Sequence, residues 1–410
     1  MATTEHQRDI IIIGGGIIGC CSAYFLTRHP SFDPSKHNVT ILEASEIAGG
    51  ASGKAGGLLA LWAYPSNIVP LSYKLHEQLA KEHGGKDRWG YREVNCGQVL
   101  AEAQGKKAGA RGPDAVSLEK RSENAMRSLK AAGIPEDLDW FDPGALKTYE
   151  DMGGPGMTAQ VHPYLFTTSM AKLAEEKGAK IILGSVTNID WSADGVKSVT
   201  YTDKATGKSE TMRATEVIVS AGPWSRRVFH QAPIEALRAH SVVVRPTRPV
   251  SAYALFTNIV LPASGQSSTR RRQKVVSPEI YARPDETVYA CGEGDTNVPL
   301  PDTTADVEVD QSRCQEIIDA LGAISSELRE GQEVVRQACY LPNVSGRGGP
   351  LIGHTGIKGL YLATGHTCWG IQNAPGTGKL ISEFVFEGRA KSANIDSLDP
   401  RRFIKNPAEA

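Results

Sequence analysis

The chain has 410 residues, of which 40% are hydrophobic and 22% charged, and a formal net charge of -1 at pH 7. This length can bury a large core and favours two closely joined domains over one. The balanced charge gives no electrostatic case for nucleic-acid binding, and no apolar stretch approaches the roughly 18 residues that span a bilayer.

The seven cysteines are scattered along the chain and do not have the spacing of a metal site. An odd, dispersed set is typical of free thiols in a reducing compartment. The polar N-terminus leads directly into the first predicted strand, so we expect no signal peptide before it. These features predict a cytoplasmic location.

Residues 9–19 read Asp-Ile-Ile-Ile-Ile-Gly-Gly-Gly-Ile-Ile-Gly and carry the most informative motif of the chain. The β-branched run before the glycines lacks polar alternation, as expected of a strand covered on both faces. Gly14 would allow a tight turn, Gly16 would let the backbone approach a phosphate, and Gly19 would let helix and strand pack closely. The helix start would then offer N–H groups and a positive dipole to a pyrophosphate.

Glu43 closes the next apolar run, at residues 39–42. It lies further from the glycines than the usual distance of about 20 residues, and a lengthened loop at residues 29–38 explains the gap. A carboxylate here would accept hydrogen bonds from an adenosine ribose. Together, strand, turn, helix and acid predict a dinucleotide site. The alternative is a glycine-rich turn in another kind of α/β protein.

Helical and strand-like segments alternate along the rest of the chain, which favours an α/β fold. Residues 101–132 are polar and predict an exposed excursion. The expected elements are a helix at 168–177, strands at 180–183 and 186–189, a strand and small-residue turn within 216–225, antiparallel strands at 236–245, 279–283 and 287–291, a strand at 359–365 and a helix at 377–386.

The last strand and helix enclose a second glycine-bearing segment, which we expect to be a loop at residues 366–378. A strand that ends at Gly365, followed by a loop and a helix start, again places N–H groups and a positive dipole against a ligand. In a flavoprotein, this position would hold the negatively charged N1/O2 side of the reduced isoalloxazine.

Motifs at residues 12–19, 50–58, 217–225 and 365–378 follow one another in the order of a known family. The chain resembles the FAD-dependent oxidoreductases of the D-amino-acid oxidase superfamily, which include glycine oxidase, sarcosine oxidase and the fungal fructosyl-amino-acid oxidases. Its His-Thr-Cys-Trp-Gly motif, at residues 366–370, is similar to that of a poorly characterised fungal and plant branch without a firm substrate assignment.

The resemblance implies an α/β protein in which a discontinuous, Rossmann-like FAD-binding domain carries an inserted α+β substrate domain. The FAD-binding domain would comprise residues 8–91, 155–235 and 334–405. The substrate domain would comprise residues 92–154 and 236–333, built on a mostly antiparallel sheet. The floor of that sheet would face the flavin, with the substrate between them.

The resemblance also implies the residues that bind FAD. The glycines of the first motif would hold the pyrophosphate, and Glu43 the ribose. The full set is Gly14, Gly16, Ile17, Ile18, Gly19, Glu43, Ala44, Ser52, Lys54, Ala55, Gly56, Gly57, Leu58, Val186, Ala221, Gly222, Trp224, Cys339, Gly365, His366, Trp369, Gly370, Ile371 and Gln372.

Two interpretations apply to Cys339. In the sarcosine and fructosyl-amino-acid oxidases, a cysteine before the last strand of the nucleotide domain bonds the flavin covalently. The alternative is a small buried hydrophobic residue, and the Tyr-Leu-Pro that follows Cys339 is closer to the non-covalent members. Cys368 is a second cysteine close to the expected ring.

The implied reaction oxidises the C–N bond of an amine or amino acid by hydride transfer to flavin N5, and O2 is then reduced to H2O2. A substrate carboxylate is usually clamped by Arg with Tyr or Lys. The candidate active-site residues are Lys54, Tyr281, Arg283, Arg347 and Trp369, with Trp62 as a further aromatic wall.

Each candidate also has a structural interpretation. Arg283 precedes Pro-Asp and would pair with an acidic loop, and Arg347, between two glycines, would be a surface turn residue. His366 would hydrogen-bond its own loop, and Trp369 would belong to the core. Two other function classes stay open: a flavin dehydrogenase that uses another electron acceptor, and an FAD-binding protein whose main role is interaction or trafficking.

Overall fold

The computed structural model describes most of the chain. The described residues are 7–103, 133–142, 144–262, 274–346 and 348–404. The predicted excursion at residues 101–132 falls almost entirely outside them, as does Arg347. Every cysteine lies within them, and all seven are free thiols.

Strands and helices alternate through the described residues, as predicted. The strands are β1 (Arg8–Ile13), β2 (His37–Glu43), β3 (Leu58–Ala60), β4 (Arg92–Glu93), β5 (Asn95–Glu102), β6 (Leu146–Gly153), β7 (Thr158–Gln160), β8 (Lys180–Ser192), β9 (Gly195–Asp203), β10 (Ser209–Arg213), β11 (Glu216–Val219), β12 (Ile234–Arg245), β13 (Tyr253–Leu261), β14 (Lys274–Val276), β15 (Glu279–Ala282), β16 (Val288–Cys291), β17 (Gln332–Val344), β18 (Leu351–His354) and β19 (Leu360–Thr364).

The helices lie between these strands and at the C-terminal side. They are α1 (Ile17–Leu26), α2 (Ala51–Lys54), α3 (Val69–His83), α4 (Gly85–Trp89), α5 (Pro163–Glu175), α6 (Ser225–Val228), α7 (Gln311–Gly322), α8 (Ser326–Arg329) and α9 (Gly370–Glu387). In the described part of the chain, none of these helices combines the length and apolarity that crossing a bilayer requires.

The first sheet has the strand order β10-β9-β8-β2-β1-β11-β19-β18. Its five central strands, from β8 to β19, are parallel. In β1, Ile10 and Ile12 belong to one core cluster, whereas Ile11 and Ile13 belong to another on the opposite face. Both faces of the strand are buried, which explains why its sequence is apolar without alternation.

Helix α9 begins at Gly370, so the predicted loop at residues 366–378 is wrong beyond its first four residues. Pro375 lies inside this helix and has no N–H to give to the carbonyl of Ile371, four residues earlier. His76 Nε2 lies 2.9 Å from that carbonyl oxygen and donates the missing hydrogen bond. A side chain from α3 therefore stabilises the helix around Pro375, although the local sequence around this proline predicts a helix break.

The glycines of α9 have a packing role that also contradicts the loop. A Cβ at Gly376 would overlap the side chain of Ser72 in α3. A Cβ at Gly378 would lie 2.6 Å from the backbone of Cys21 in α1. These glycines let α9 pack closely against its two neighbouring helices, and this contact outweighs the low helix propensity of glycine.

Two other boundaries differ from the prediction. Helix α5 begins at Pro163, five residues before the predicted start, because His162 caps it and accepts a hydrogen bond from the Leu165 N–H at 3.5 Å. Strand β8 is continuous, where two strands were predicted. Its register with β9 shifts between Val186 and Asn188, so a bulge replaces the expected break.

The second sheet has the strand order β17-β12-β16-β15-β13-β5-β6, with β14 beside β13. Its pairs are antiparallel except β13 with β5, which confirms the predicted mostly antiparallel sheet. One face, including Ile280, packs against α7 through Ile317. The other face, including Tyr281 and Tyr289, belongs to the same core cluster as Trp369 at the start of α9.

The sheet pairing bears on the predicted domain boundaries. Strand β17 pairs with β12 over its whole length, from Val344 opposite Ile234 to Gln332 opposite Arg245. The boundaries placed after residues 235 and 333 therefore fall inside these two strands rather than between elements. The division into two domains stays a prediction.

Candidate cofactor site and active site

The glycine motif forms a tight turn between β1 and α1. Gly14 has a φ of 111°, and a Cβ there would lie 2.6 Å from the carbonyl oxygen of Ser220. A Cβ at Gly19 would overlap the carbonyl oxygen of Gly14. A Cβ at Gly16 would have one neighbour within 4 Å among the described residues, Ser52 Oγ at 3.1 Å. Gly14 and Gly19 are thus required by the turn itself, whereas Gly16 keeps space open at the start of the helix.

Glu43 is buried beside this turn and held by backbone groups. Its Oε2 accepts a hydrogen bond from the Gly15 N–H at 2.7 Å. Its Oε1 accepts from the N–H and the hydroxyl of Ser45, at 2.9 and 3.1 Å. A carboxylate can accept about four hydrogen bonds, so these contacts orient Glu43 and leave capacity for a ligand hydroxyl.

A cavity of about 420 Å³ opens at the carboxyl ends of β1, β2, β11 and β19, the edge where parallel sheets bind ligands. The predicted cofactor residues that line it are Gly14, Gly16, Ile17, Ile18, Glu43, Ala44, Ser52, Ala55, Val186, Ala221, Gly222, Trp224, His366, Gly370 and Ile371. The other predicted cofactor residues lie outside its lining: Gly19, Lys54, Gly56, Gly57, Leu58, Cys339, Gly365, Trp369 and Gln372.

Residues 299–306 supply a wall of the cavity that the sequence analysis missed. Asp302 and the two threonines after it line the cavity. The Trp224 indole N–H donates a 2.7 Å hydrogen bond to the carbonyl of Pro301, and Arg227 forms a 2.9 Å ion pair with Asp302. Trp224 and Pro301 are 77 residues apart, so no local sequence signal could have revealed this contact.

His366 lies at the other end of the cavity and is almost fully buried. Its Nε2 lies 2.9 Å from Thr377 Oγ1, and that hydroxyl donates to the carbonyl of Asn373. The hydroxyl therefore accepts from His366, so the ring carries its proton on Nε2. Burial lowers the pKa of His366 to about 3, so the ring is neutral near pH 7.

Lys54 and Cys339 lie close together behind the cavity. Lys54 Nζ donates a 3.1 Å hydrogen bond to the carbonyl of Ala338. Burial raises the pKa of the Cys339 thiol to about 11, and the charge of Lys54 opposes this shift only in part. Cys339 is therefore a thiol rather than a thiolate near pH 7. A covalent bond between Cys339 and the flavin stays a prediction.

Tyr281 and Arg283 are brought together around Tyr289. The two tyrosine rings stack with their centroids 6.0 Å apart, and the Arg283 guanidinium lies 4.8 Å from the centroid of the Tyr289 ring. Arg283 is buried and donates to the carbonyl of Ala55 at 2.5 Å. The contacts of Arg283 thus fix the backbone next to α2. Its role as a substrate clamp stays a prediction.

Trp369 belongs to an aromatic group with Trp62 and Tyr64. Its ring meets those of Trp62 and Tyr64 edge to face, with centroids 5.5 and 5.9 Å apart. Tyr64 is 54% exposed, and its hydroxyl lies 3.6 Å from Cys368 Sγ, which lines the cavity. The aromatic group therefore connects the cavity with the protein surface. Arg347, the remaining candidate, lies outside the described residues.

A family model described as FAD dependent oxidoreductase matches residues 9–384 of this chain. The chain is 34% identical to "Putative oxidoreductase TDA3" of Saccharomyces cerevisiae over an alignment that is 510 positions long with its gaps and covers 98% of this chain and 96% of that protein. It is 33% identical to "Putative oxidoreductase C1F5.03c" of Schizosaccharomyces pombe over 412 aligned residues, covering 97% and 98%.

Solved structures share the fold at low sequence identity. Glycine oxidase from Geobacillus kaustophilus matches with a TM-score of 0.69 and 19% identity, covering 98% of this chain and all of that one. L-proline dehydrogenase from P. horikoshii matches with a TM-score of 0.66 and 16% identity, covering 97% and 98%.

The chain belongs to the FAD-dependent oxidoreductase family that these comparisons define. It is an enzyme of this family, and its cofactor is FAD, as predicted. The expected α/β fold of the glycine oxidase type is also confirmed.

The residues of the cavity fit FAD. His366 Nδ1 is buried and has no hydrogen-bond partner among the described residues, although His366 lines the cavity. Buried polar atoms without a partner destabilise a fold. A ligand hydroxyl that hydrogen-bonds at this position would therefore stabilise the protein. Glu43 at the opposite end has capacity for a further hydroxyl, which suits a ligand that extends along the whole cleft.

Proposed function

We propose that this enzyme oxidises the C–N bond of an amine or amino acid and reduces O2 to H2O2. Bound FAD would take a hydride from the α-carbon of the substrate and pass two electrons to O2. The observation that carries this proposal is the arrangement at the end of the cavity where His366 lies, which we call the inner end. There, the neutral ring of His366 and the start of α9 lie beside an aromatic group that reaches the surface.

The residues on this side have three tasks. The N-terminal end of α9 presents its positive dipole to the cavity, which favours the extra negative charge of a reduced cofactor. Trp62 and Trp369 offer apolar surface that excludes water from the reacting carbon. Neutral His366 donates from Nε2 to Thr377, so it holds the start of the helix without adding charge.

The test is an anaerobic screen of primary amines, secondary amines and amino acids. A substrate should bleach the yellow absorbance of the bound FAD, and admitting O2 should restore the colour with stoichiometric H2O2. Bleaching that only an artificial acceptor reverses would favour a dehydrogenase, a reaction that the name of the L-proline dehydrogenase shows on the same fold. No bleaching by any amine would favour the interaction or trafficking role. A cytoplasmic location stays part of the proposal, supported by the seven free cysteines.

A further inference from the structure

Glu279 lies on the face of the second sheet that is turned towards α2. It stands opposite Phe256 of β13 and opposite Cys291 of β16, so the three side chains share one face. Tyr281, two residues further along β15, lies on the same face. A Cβ at Gly56, just after α2, would overlap the Tyr281 ring, which fixes the direction of this face.

The Glu279 carboxyl has one short hydrogen bond and one long contact, and no counter-charge among the described residues. The Tyr281 hydroxyl donates to Oε2 at 2.5 Å, and the Cys291 thiol lies 3.9 Å from the same oxygen. Across the described ranges, Oε1 receives no hydrogen bond and no Lys, Arg or His forms an ion pair with Glu279. Glu279 is half-buried, so its carboxylate is only partly hydrated, and a bound cation would stabilise its charged form.

The surroundings of Glu279 are those of a cation site. Phe256, its cross-strand neighbour, meets Trp62 with ring centroids 6.0 Å apart, and Trp62 in turn meets Trp369. These rings continue to Tyr64 at the surface. Aromatic faces attract cations, so the rings and the carboxylate favour the same kind of ligand.

Glu279 is also close to the cofactor cavity. Its charge is one of the causes that raise the pKa of Cys368, a residue that lines the cavity, although burial is the larger cause. The Glu279 carboxyl is therefore within electrostatic range of the cavity lining, and Phe256, Trp62 and Trp369 belong to one packed cluster beside that lining.

We propose that Glu279 binds the protonated nitrogen of a cationic amine substrate whose carbon chain lies against Trp62, Phe256 and Trp369. Before oxidation, the bound ammonium would give one proton to the Glu279 carboxylate, so that the neutral amine loses the hydride and becomes an iminium ion. This inference rests on the proposed function, because it names the substrate class of the same site. It makes the charge of the amine, rather than a substrate carboxylate, the main recognition element. Binding of such a cation can be measured without oxidation. An experiment can therefore reject the binding role of Glu279 without rejecting the proposed reaction, or the reverse.

The probe is tert-butylamine, which is cationic near pH 7 but has no hydrogen on the carbon that bears its nitrogen. It cannot give up a hydride from that carbon, so calorimetric titration of the FAD-loaded protein reports binding alone. Neutral tert-butanol, of the same shape, is the ligand control. We expect saturable binding of the amine and none of the alcohol.

Glu279→Gln should weaken tert-butylamine binding by about tenfold or more, because a charge-assisted hydrogen bond is lost. Glu150→Gln is the matched control, since Glu150 is an exposed acid on β6 of the same sheet. Wild-type affinity in Glu279→Gln, an equal loss in Glu150→Gln, or no binding by the wild type would overturn the inference. Binding that depends on Glu279 without oxidation of butylamine would support it and reject only the proposed reaction.

The wild-type protein gives a second test that does not depend on the folding of a variant. Burial raises the pKa of Glu279, so it takes up a proton at a higher pH than an ordinary glutamate. The titratable groups near it are Tyr281, Cys291, Cys96 and Cys368, whose pKa values are all raised, so they stay neutral in acid.

The probe keeps its proton below about pH 9, as a lysine side chain does. Its affinity should therefore fall as the pH is lowered and Glu279 becomes neutral. A constant affinity over the whole acid range in which the protein retains FAD would overturn the inference.

Discussion

At the nucleotide end of the cavity, the site is shaped mainly by backbone groups. The N–H groups of Gly15 and Ser45 orient Glu43, and Gly14 forms the turn beside it. At the proposed substrate end, side chains from β15, β16, the segment after β3 and the residue before α9 pack together. The glycine turn and Glu43 of the first end are encoded within one stretch of chain, whereas the second end exists only when distant segments pack together. The following variants test this difference.

The largest effect is expected at Gly16. Gly16→Val should give a folded but colourless protein, because a Cβ there has one neighbour within 4 Å among the described residues, Ser52 Oγ, yet enters the space at the start of α1. Gly19→Ala is the comparison: its Cβ overlaps the Gly14 carbonyl, so the fold itself should be lost. Circular dichroism and the absorbance of bound FAD separate the two results. A yellow Gly16→Val protein would show that the cofactor does not approach this turn.

Glu43→Gln should weaken FAD binding by about tenfold or more, since charge-assisted hydrogen bonds are worth about 1.5 to 3 kcal/mol. The amide would also lose one acceptor atom for the Gly15 or Ser45 N–H groups. Glu46→Gln is the control, because Glu46 is exposed three residues further on. Fluorescence titration of the apoprotein with FAD measures both affinities, and equal values would remove the ribose role from Glu43.

The sequence predicts the strand, the glycine turn and the helix of the nucleotide end because their determinants are local. The apolar run in β1, the glycines after it and Glu43 lie within 36 residues, counting from Arg8 to Glu43, and one strand–turn–helix pattern accounts for them. The fold class and cofactor follow from the same pattern and from three later motifs. None of these inferences depends on a contact between distant segments.

The errors have tertiary causes. Pro375 and Gly378 read locally as loop residues, but His76 satisfies the carbonyl that the proline leaves free, and Cys21 requires the glycine for close packing. The wall at residues 299–306 and the position of Glu279 among aromatic rings depend on pairings across the fold. No residue pattern near these positions signals either feature.

A variant of Arg283 distinguishes a structural role from a substrate-binding role at the proposed substrate end. Arg283→Met keeps the length of the side chain but removes its hydrogen bond to Ala55 and its charge near Tyr289. If Arg283 anchors the backbone beside α2, kcat/KM should fall by about tenfold for butylamine and for norvaline, its α-carboxylated analogue, alike. A loss confined to norvaline would instead support the carboxylate clamp that the sequence suggested.

The smallest effect is expected at the contact between Trp224 and residues 299–306. Trp224→Phe keeps the ring but removes the indole N–H that donates to the Pro301 carbonyl. One neutral hydrogen bond contributes about 1 kcal/mol, so FAD should dissociate about fivefold faster. Trp191→Phe is the control, because Trp191 packs on Phe229 at a ring distance of 6.1 Å and does not line the cavity. Rapid dilution of each FAD-loaded variant, followed by the fluorescence of the released FAD, measures both dissociation rates. Equal rates would mean that this wall forms around the cofactor without retaining it, and that the nucleotide end relies on the glycine turn and Glu43 alone.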